Sequence, residues 1–163
     1  MLIIGCGNRD RGDDAAGVLV AEGLRQLGMD VEIRRGEAAE LIEAWSGADD
    51  VIVVDAVMTG APPGSVTLWD GQHSPASPSS TASTHGLGLT EAIELARVLG
   101  CLPVKLRVYG IEGRRFEIGV EVSPEVKGAV ERVVRNIGAE VKPRPLNIEL
   151  SPDEPPGAIK TTR

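Results

Sequence analysis

A chain of 163 residues with a formal net charge of -7 and a pI near 4.9 has the length of one domain with a sizeable core. The negative charge and an aromatic content of 2% argue against nucleic acid, which is bound by basic and stacking surfaces, and against an anionic membrane. No apolar stretch approaches the ~18 residues of a membrane span, so we expect a soluble, cytoplasmic protein, and we expect it to be a monomer.

Hydrophobic periodicity, with glycine and proline as breakers, divides the chain into alternating strands and helices. Val51–Val54 is a continuous β-branched run, typical of a strand buried on both faces, and Ser123 and Pro124 have the residue types of a helix N-cap and first position. In chain order the predicted elements are a strand at 2–4, a helix at 13–27, a strand at 31–34, a helix at 37–46, strands at 51–54 and 65–69, a helix at 87–99, a strand at 104–109 followed by a loop at 110–113, and a helix from 124 that ends at Gly138.

Two stretches lack such periodicity. Residues 71–86 form a predicted long loop rich in serine, proline and threonine, which holds both histidines, His73 and His85. A loop of this length inside a compact domain is usually functional or mobile. The proline-rich residues 143–163 are predicted to be a flexible tail, which leaves 1–142 as a single α/β domain.

The order of the elements predicts a three-layer α/β sandwich, with a mostly parallel central sheet of about five strands and helices on both faces. Ligands of such sheets bind beyond the carboxyl ends of the strands. Asp14 follows the first strand, Asp55 ends the third predicted strand, and His85 precedes a helix. If the first and third strands are neighbours, all three side chains can face one crevice.

Two carboxylates and one imidazole form a donor set that suits a first-row divalent metal better than calcium, and an open metal site can activate water for hydrolysis. Each residue also has a simpler explanation. Asp14 can stabilise a helix N-terminus, Asp55 can be a turn carboxylate, and His85 can be a solvated loop residue. Asp13 is the nearest candidate for a separate general base, although it can equally cap the helix.

Other kinds of site fit the opening turn less well. A dinucleotide-binding fingerprint needs a third glycine where this chain has Asp10, and the carboxylates around it would repel a pyrophosphate. A phosphoacceptor receiver domain would use Asp13, Asp14 and Asp55, but its acidic pair should follow the first strand at once. It also needs a lysine where the chain has Tyr109-Gly110-Ile111.

The cysteines, Cys6 and Cys101, do not have the spacing of a metal or redox motif, and both are predicted to be reduced thiols. Cys6 lies in the acidic turn. Neighbouring carboxylates raise a thiol pKa, so Cys6 is predicted to be a small packing residue rather than a nucleophile.

Several motifs in the right order resemble the hydrogenase maturation endopeptidases, which trim the large subunit of nickel-iron hydrogenases. The resemblance covers residues 1 to about 140. The motifs are Gly5-Cys6-Gly7-Asn8 with Asp13-Asp14 and Gly17, Val53-Val54-Asp55-Ala56-Val57, Thr84-His85-Gly86-Leu87-Gly88-Leu89 and, more weakly, Val108-Tyr109-Gly110-Ile111 and Val122-Ser123-Pro124-Glu125-Val126.

The resemblance implies an aspartic-type, nickel-dependent endopeptidase whose nickel-contacting, catalytic residues fall on Asp14, Asp55 and His85. It implies that the nickel is carried by the substrate, a hydrogenase large-subunit precursor, and that a C-terminal extension is removed. In the isolated protein the site is expected to be empty or to hold another divalent metal.

The turn after the second strand departs from the family pattern. Relatives often have a Gly-Gly-Thr-like turn where this chain has Arg35-Gly36-Glu37, which adds charge near the expected substrate cleft. Two alternatives to the protease stay open, a non-catalytic module that binds a metal-loaded partner and a receiver-like phosphoacceptor domain.

Overall fold

The computed structural model describes residues 1–73 and 84–141, with the backbone alone for 84–87. The strands are β1 (Leu2–Cys6), β2 (Val31–Arg34), β3 (Asp50–Val57), β4 (Val66–Asp70) and β5 (Lys105–Glu112). The helices are α1 (Ala16–Gln26), α2 (Ala38–Trp45), α3 (Thr84–Leu99) and α4 (Pro124–Glu140), and a 3-10 turn at Gly12–Ala15 leads into α1.

In the part of the chain that the structure describes, the strands form one sheet in the order β2-β1-β3-β5-β4. All pairings are parallel except that of β4, which lies antiparallel to β5 at the edge. The predicted, mostly parallel sheet is confirmed, and β1 and β3 are neighbours. An antiparallel edge strand also differs from the all-parallel sheet of a receiver-type flavodoxin-like fold.

A hydrophobic core lies on each face of the sheet, because successive residues of a strand point to opposite faces. Ile52 and Val54 of β3 pack with α1 and α4, whereas Val51 and Val53 pack with α2 and α3. Both faces of β3 are therefore covered by helices, and the three-layer α/β sandwich is confirmed. None of the helices in the described residues has the length and the apolar composition needed to cross a membrane.

Two glycines let α1 lie directly on the carboxyl ends of the central strands. A Cβ on Gly17 would collide with the carbonyl oxygens of Cys6 and Val54, and a Cβ on Gly5 would collide with the carbonyl oxygen of Gly17. This close approach places the start of α1, and the 3-10 turn before it, over the ends of β1 and β3.

Three strands are longer than predicted, and β1 continues to Cys6. β3 continues through Asp55 to Val57, and β5 continues to Glu112, where a loop was expected. The reason is pairing: Asp55 lies opposite Gly110 and Val57 opposite Glu112, while β4 pairs with the other side of β5. Asp55 is thus inside the sheet, two residues before the end of its strand.

Helix boundaries also differ from the predictions. The helix predicted at 13–27 is α1 at Ala16–Gln26, with Asp13 and Asp14 in the 3-10 turn before it. α3 begins at Thr84, so His85 lies in its first turn and not in a loop. α4 continues past Gly138 to Glu140, whose carboxylate accepts hydrogen bonds from the Arg107 guanidinium and the Tyr109 hydroxyl. The rest of the predicted long loop, 74–83, and the predicted tail, 143–163, lie outside the described residues.

Candidate active site

Asp14 is held at the end of β1 by the turn that precedes α1. Its side chain is fully buried, and the Asn8 backbone N–H donates to its Oδ2 at 3.1 Å. Gly7 has a φ of +130°, and a Cβ there would collide with the Asp14 carbonyl oxygen. The turn therefore needs glycine at position 7 for its backbone conformation and for the close approach that positions Asp14.

Asp55 is buried on β3, next to the strand that leads to Asp14. Burial, and then the negative charge of Asp14, raise the pKa of Asp55 to about 8, against a hydrogen bond from the Ala56 N–H that lowers it. The two carboxylates are thus close enough for mutual repulsion. Such a pair favours a shared proton or a bound cation.

Contact between α3 and the loop after β2 joins the first two turns of α3 to the end of β1. A Cβ on Gly88 would collide with the Gly36 carbonyl oxygen, and a Cβ on Gly36 would lie 3.6 Å from the Cβ of Cys6, at the end of β1. His85 lies one helical turn before Gly88. Among the described side chains, which do not include that of His85, no three histidine, cysteine, aspartate or glutamate residues are grouped so that they could hold one metal ion.

Asp13 has a structural role that the sequence left open. Its Oδ2 accepts the backbone N–H groups of Arg114 and Arg115 at 2.8 and 3.0 Å, and its Oδ1 accepts the Ser123 N–H and hydroxyl at 2.7 and 2.8 Å. Burial acts to raise the pKa of Asp13, but these hydrogen bonds outweigh it and lower that pKa. Asp13 therefore fastens the β5–α4 loop to the opening turn, and such a carboxylate is a poor general base.

Glu112 is a second buried anchor, which the sequence analysis missed because the strand was expected to end before it. Its carboxylate accepts the Thr59 and Gly60 backbone N–H groups and the Thr59 hydroxyl, all within 3.1 Å. It fixes the β3–β4 loop at the same edge of the sheet as Asp55. A lone glutamate after a glycine and an isoleucine carries no sequence signal for this role.

Cys6 is fully buried at the end of β1, and both cysteines are free thiols. Burial, followed by the charges of Asp55, Glu40 and Asp14, raises the pKa of the Cys6 thiol well above its ordinary value. The prediction that Cys6 is a packing residue is confirmed by its burial in the core between the sheet and α2 and α3.

The fold and the site together define the class of protein: a three-layer α/β protein with a buried carboxylate pair at the carboxyl edge of its sheet. Comparison with known proteins gives the family. A family model described as hydrogenase maturation protease matches residues 36–140. The chain therefore belongs to the hydrogenase maturation protease family, as the sequence motifs predicted.

Relatives and solved structures agree with this assignment. The chain is 29% identical over 160 residues to the hydrogenase 2 maturation protease of Escherichia coli, covering 94% of this chain and 96% of the relative. It is 27% identical over 151 residues to a putative hydrogenase maturation protease of Methanocaldococcus jannaschii, covering 87% and 96%. The structure of the hydrogenase maturating endopeptidase HybD from E. coli matches with a TM-score of 0.71 at 29% identity, over 85% of this chain and 90% of that one.

Proposed function

We propose that this protease removes the C-terminal extension of a hydrogenase large-subunit precursor that already holds its nickel. Asp14, Asp55 and His85 hold the nickel of the substrate, and the precursor is cut only when this metal is present. The juxtaposition of the buried Asp14 and Asp55 carboxylates is the observation that carries the proposal, because both can be ionised together out of water only when a cation lies between them, and otherwise the raised pKa of Asp55 leaves a proton on the pair.

The chemistry follows from this placement. Two carboxylates and an imidazole would leave coordination positions of a divalent ion free for other ligands. Such an ion would act as a Lewis acid, which polarises the scissile carbonyl or lowers the pKa of a neighbouring water. The water oxygen bonds to the carbonyl carbon and the water gives up a proton. The C–N bond then breaks, and the leaving amine takes that proton. The role of the protein is to hold the reacting groups in register, through Gly7 and Asn8 for Asp14 and through the sheet for Asp55.

The anchors around the site support a preformed cleft. Asp13 fixes the β5–α4 loop and Glu112 fixes the β3–β4 loop, both by hydrogen bonds to backbone N–H groups. Loops held in this way keep their positions before the substrate arrives, which lowers the entropy cost of binding.

The test compares the same purified large-subunit precursor with and without nickel. Shortening of the precursor is measured by mass spectrometry of the product. We expect it for the nickel-loaded precursor only, and we expect none when Asp14→Asn and Asp55→Asn together replace both site carboxylates. Binding of the loaded precursor without shortening would support the non-catalytic module instead. Equal cleavage of the nickel-free precursor would refute recognition through the metal.

A further inference from the structure

A cleft of about 490 Å³ opens beside the proposed catalytic site and has no assigned role. It lies between the turn after β1, the end of β2 and the start of α2. Its lining combines an apolar part with charged side chains, and consists of Gly7, Asn8, Arg9, Asp10, Val18, Ile33, Arg34, Arg35 and Glu40.

The cleft and the catalytic site share a wall. Asn8 is exposed and lines the cleft, and its backbone N–H donates to the Asp14 carboxylate. The Gly7 N–H donates to the Arg34 carbonyl oxygen at 3.0 Å, which joins this turn to the end of β2. If a peptide presents its scissile bond at Asp14, the residues next to that bond can therefore lie in this cleft.

Most charges in the cleft already have partners within the chain. Arg9 forms an ion pair with Glu22, Arg34 forms one with Glu32, and the Glu40 carboxylate accepts the Arg35 backbone N–H at 3.1 Å.

The Arg35 guanidinium differs from its neighbours in this respect. Among residues 1–73 and 84–141 it has neither an ion pair nor a hydrogen bond, and Arg35 is exposed at the mouth of the cleft. Glu40, on the first turn of α2, accepts the Arg35 backbone N–H, but a hydrogen bond from a backbone N–H does not neutralise a carboxylate. Asp10 and Glu40 are therefore both acidic groups of the lining that oppose binding of an anion, and the Arg35 guanidinium has to outweigh them.

We propose that this cleft seats the precursor segment next to the scissile bond and that Arg35 selects a carboxylate side chain in that segment. This inference rests on the proposed function. The planar guanidinium can bind a carboxylate through two parallel hydrogen bonds, which a neutral amide cannot match. Val18 and Ile33 provide apolar surface for the adjoining part of the peptide.

The test measures binding of fluorescein-labelled nonapeptides to the full-length protein by fluorescence anisotropy at low salt. The peptides share one alanine-rich sequence, with two central glutamates, glutamines or lysines. We expect the glutamate peptide to bind about three- to tenfold more tightly than the glutamine peptide. Arg35→Gln should remove this difference. Arg135→Gln, which removes an exposed arginine of α4, should retain it.

Equal binding of the three peptides, tighter binding of the lysine peptide, or a preference that survives Arg35→Gln would overturn the role of Arg35. Cleavage of the nickel-loaded precursor is measured separately. There, Arg35→Gln should raise KM with little change in kcat. A glutamate preference that depends on Arg35, found in a protein that never cleaves the precursor, would refute the proposed function and leave the anion-selective cleft standing.

Discussion

Asp13 and Asp14 are adjacent in the sequence, yet their carboxylates have different surroundings. Asp13 is enclosed by N–H and O–H donors of the β5–α4 loop, whereas Asp14 lies beside the buried Asp55. The sequence placed both in one acidic turn and could not divide their roles, since the donors to Asp13 come from residues about a hundred positions away.

Replacement of Asp13 should therefore affect stability. Asp13→Ala leaves the buried Ser123 N–H and hydroxyl, and the part-buried N–H groups of Arg114 and Arg115, without their acceptor. We therefore expect the free energy of unfolding, measured in urea at pH 7, to fall by about 2–4 kcal/mol. Asp10→Ala, at an exposed position of the same turn, should change it by no more than about 0.5 kcal/mol. Similar small effects of both variants would show that the Asp13 contacts contribute little.

The same contacts make the stability of the folded protein depend on pH. Because the pKa of Asp13 is lowered in the folded state, its contribution is present above the unfolded value of about 3.9 and is lost as the pH falls through the folded pKa.

Asp55 should give the opposite dependence in the metal-free protein. Its folded pKa of about 8 exceeds the unfolded value of about 3.9, so the folded state binds the proton more tightly. Its contribution is present below the unfolded pKa and is lost as the pH rises towards 8. With a chelator present, the effect of Asp55→Asn on the free energy of unfolding is measured at pH 5 and at pH 8.5. The effect at pH 8.5 should be more favourable than the effect at pH 5 by on the order of a few kcal/mol. An effect of Asp55→Asn on the free energy of unfolding that is the same at pH 5 and pH 8.5 would contradict the raised pKa of Asp55, and with it the burial and the repulsion by Asp14 that raise it.

At the scale of elements, the position of the first turn of α3 depends on one glycine contact. The serine- and proline-rich composition before His85 predicted a loop through residue 86, but the helix begins at Thr84 and packs Gly88 against the backbone at Gly36. No local propensity encodes that contact. It forms because Gly36 and Gly88 meet only after the strands and helices have assembled.

Gly88→Ala should move the start of α3, and His85 with it, away from the strand ends. We expect a loss of about 1–3 kcal/mol in stability, as for other overpacked sites, together with a larger proportional loss of precursor cleavage. Gly128→Ala is the matched control, since a Cβ there would meet only the Arg132 guanidinium at 3.7 Å and alanine favours helix by up to about 1 kcal/mol. Full cleavage activity in Gly88→Ala would contradict this role for the contact.

At the scale of the whole molecule, the sequence predicted the layers and the edge at which the site lies. The β-branched run of β3 and the alternation of strands with helices suffice for a covered parallel sheet, and therefore for Asp14 and Asp55 at its carboxyl edge. The sequence did not predict the extension of β5 to Glu112, because Gly110 and Gly113 are typical of a loop and only pairing with β3 and β4 makes residues 110–112 a strand.

The central claim is that Asp14, Asp55 and His85 act on a nickel-loaded precursor, and the two histidines of the chain allow a matched test. His73 is exposed, with its ring 3.3 Å from the Asp70 carboxylate, outside the site. In a cleavage assay with the nickel-loaded precursor, His85→Ala should lower the rate at least about 100-fold with an unchanged melting temperature, since even residues that only support metal ligands cost 10- to 100-fold. His73→Ala should cleave at the rate of the unsubstituted protein. Full activity of His85→Ala would contradict the account.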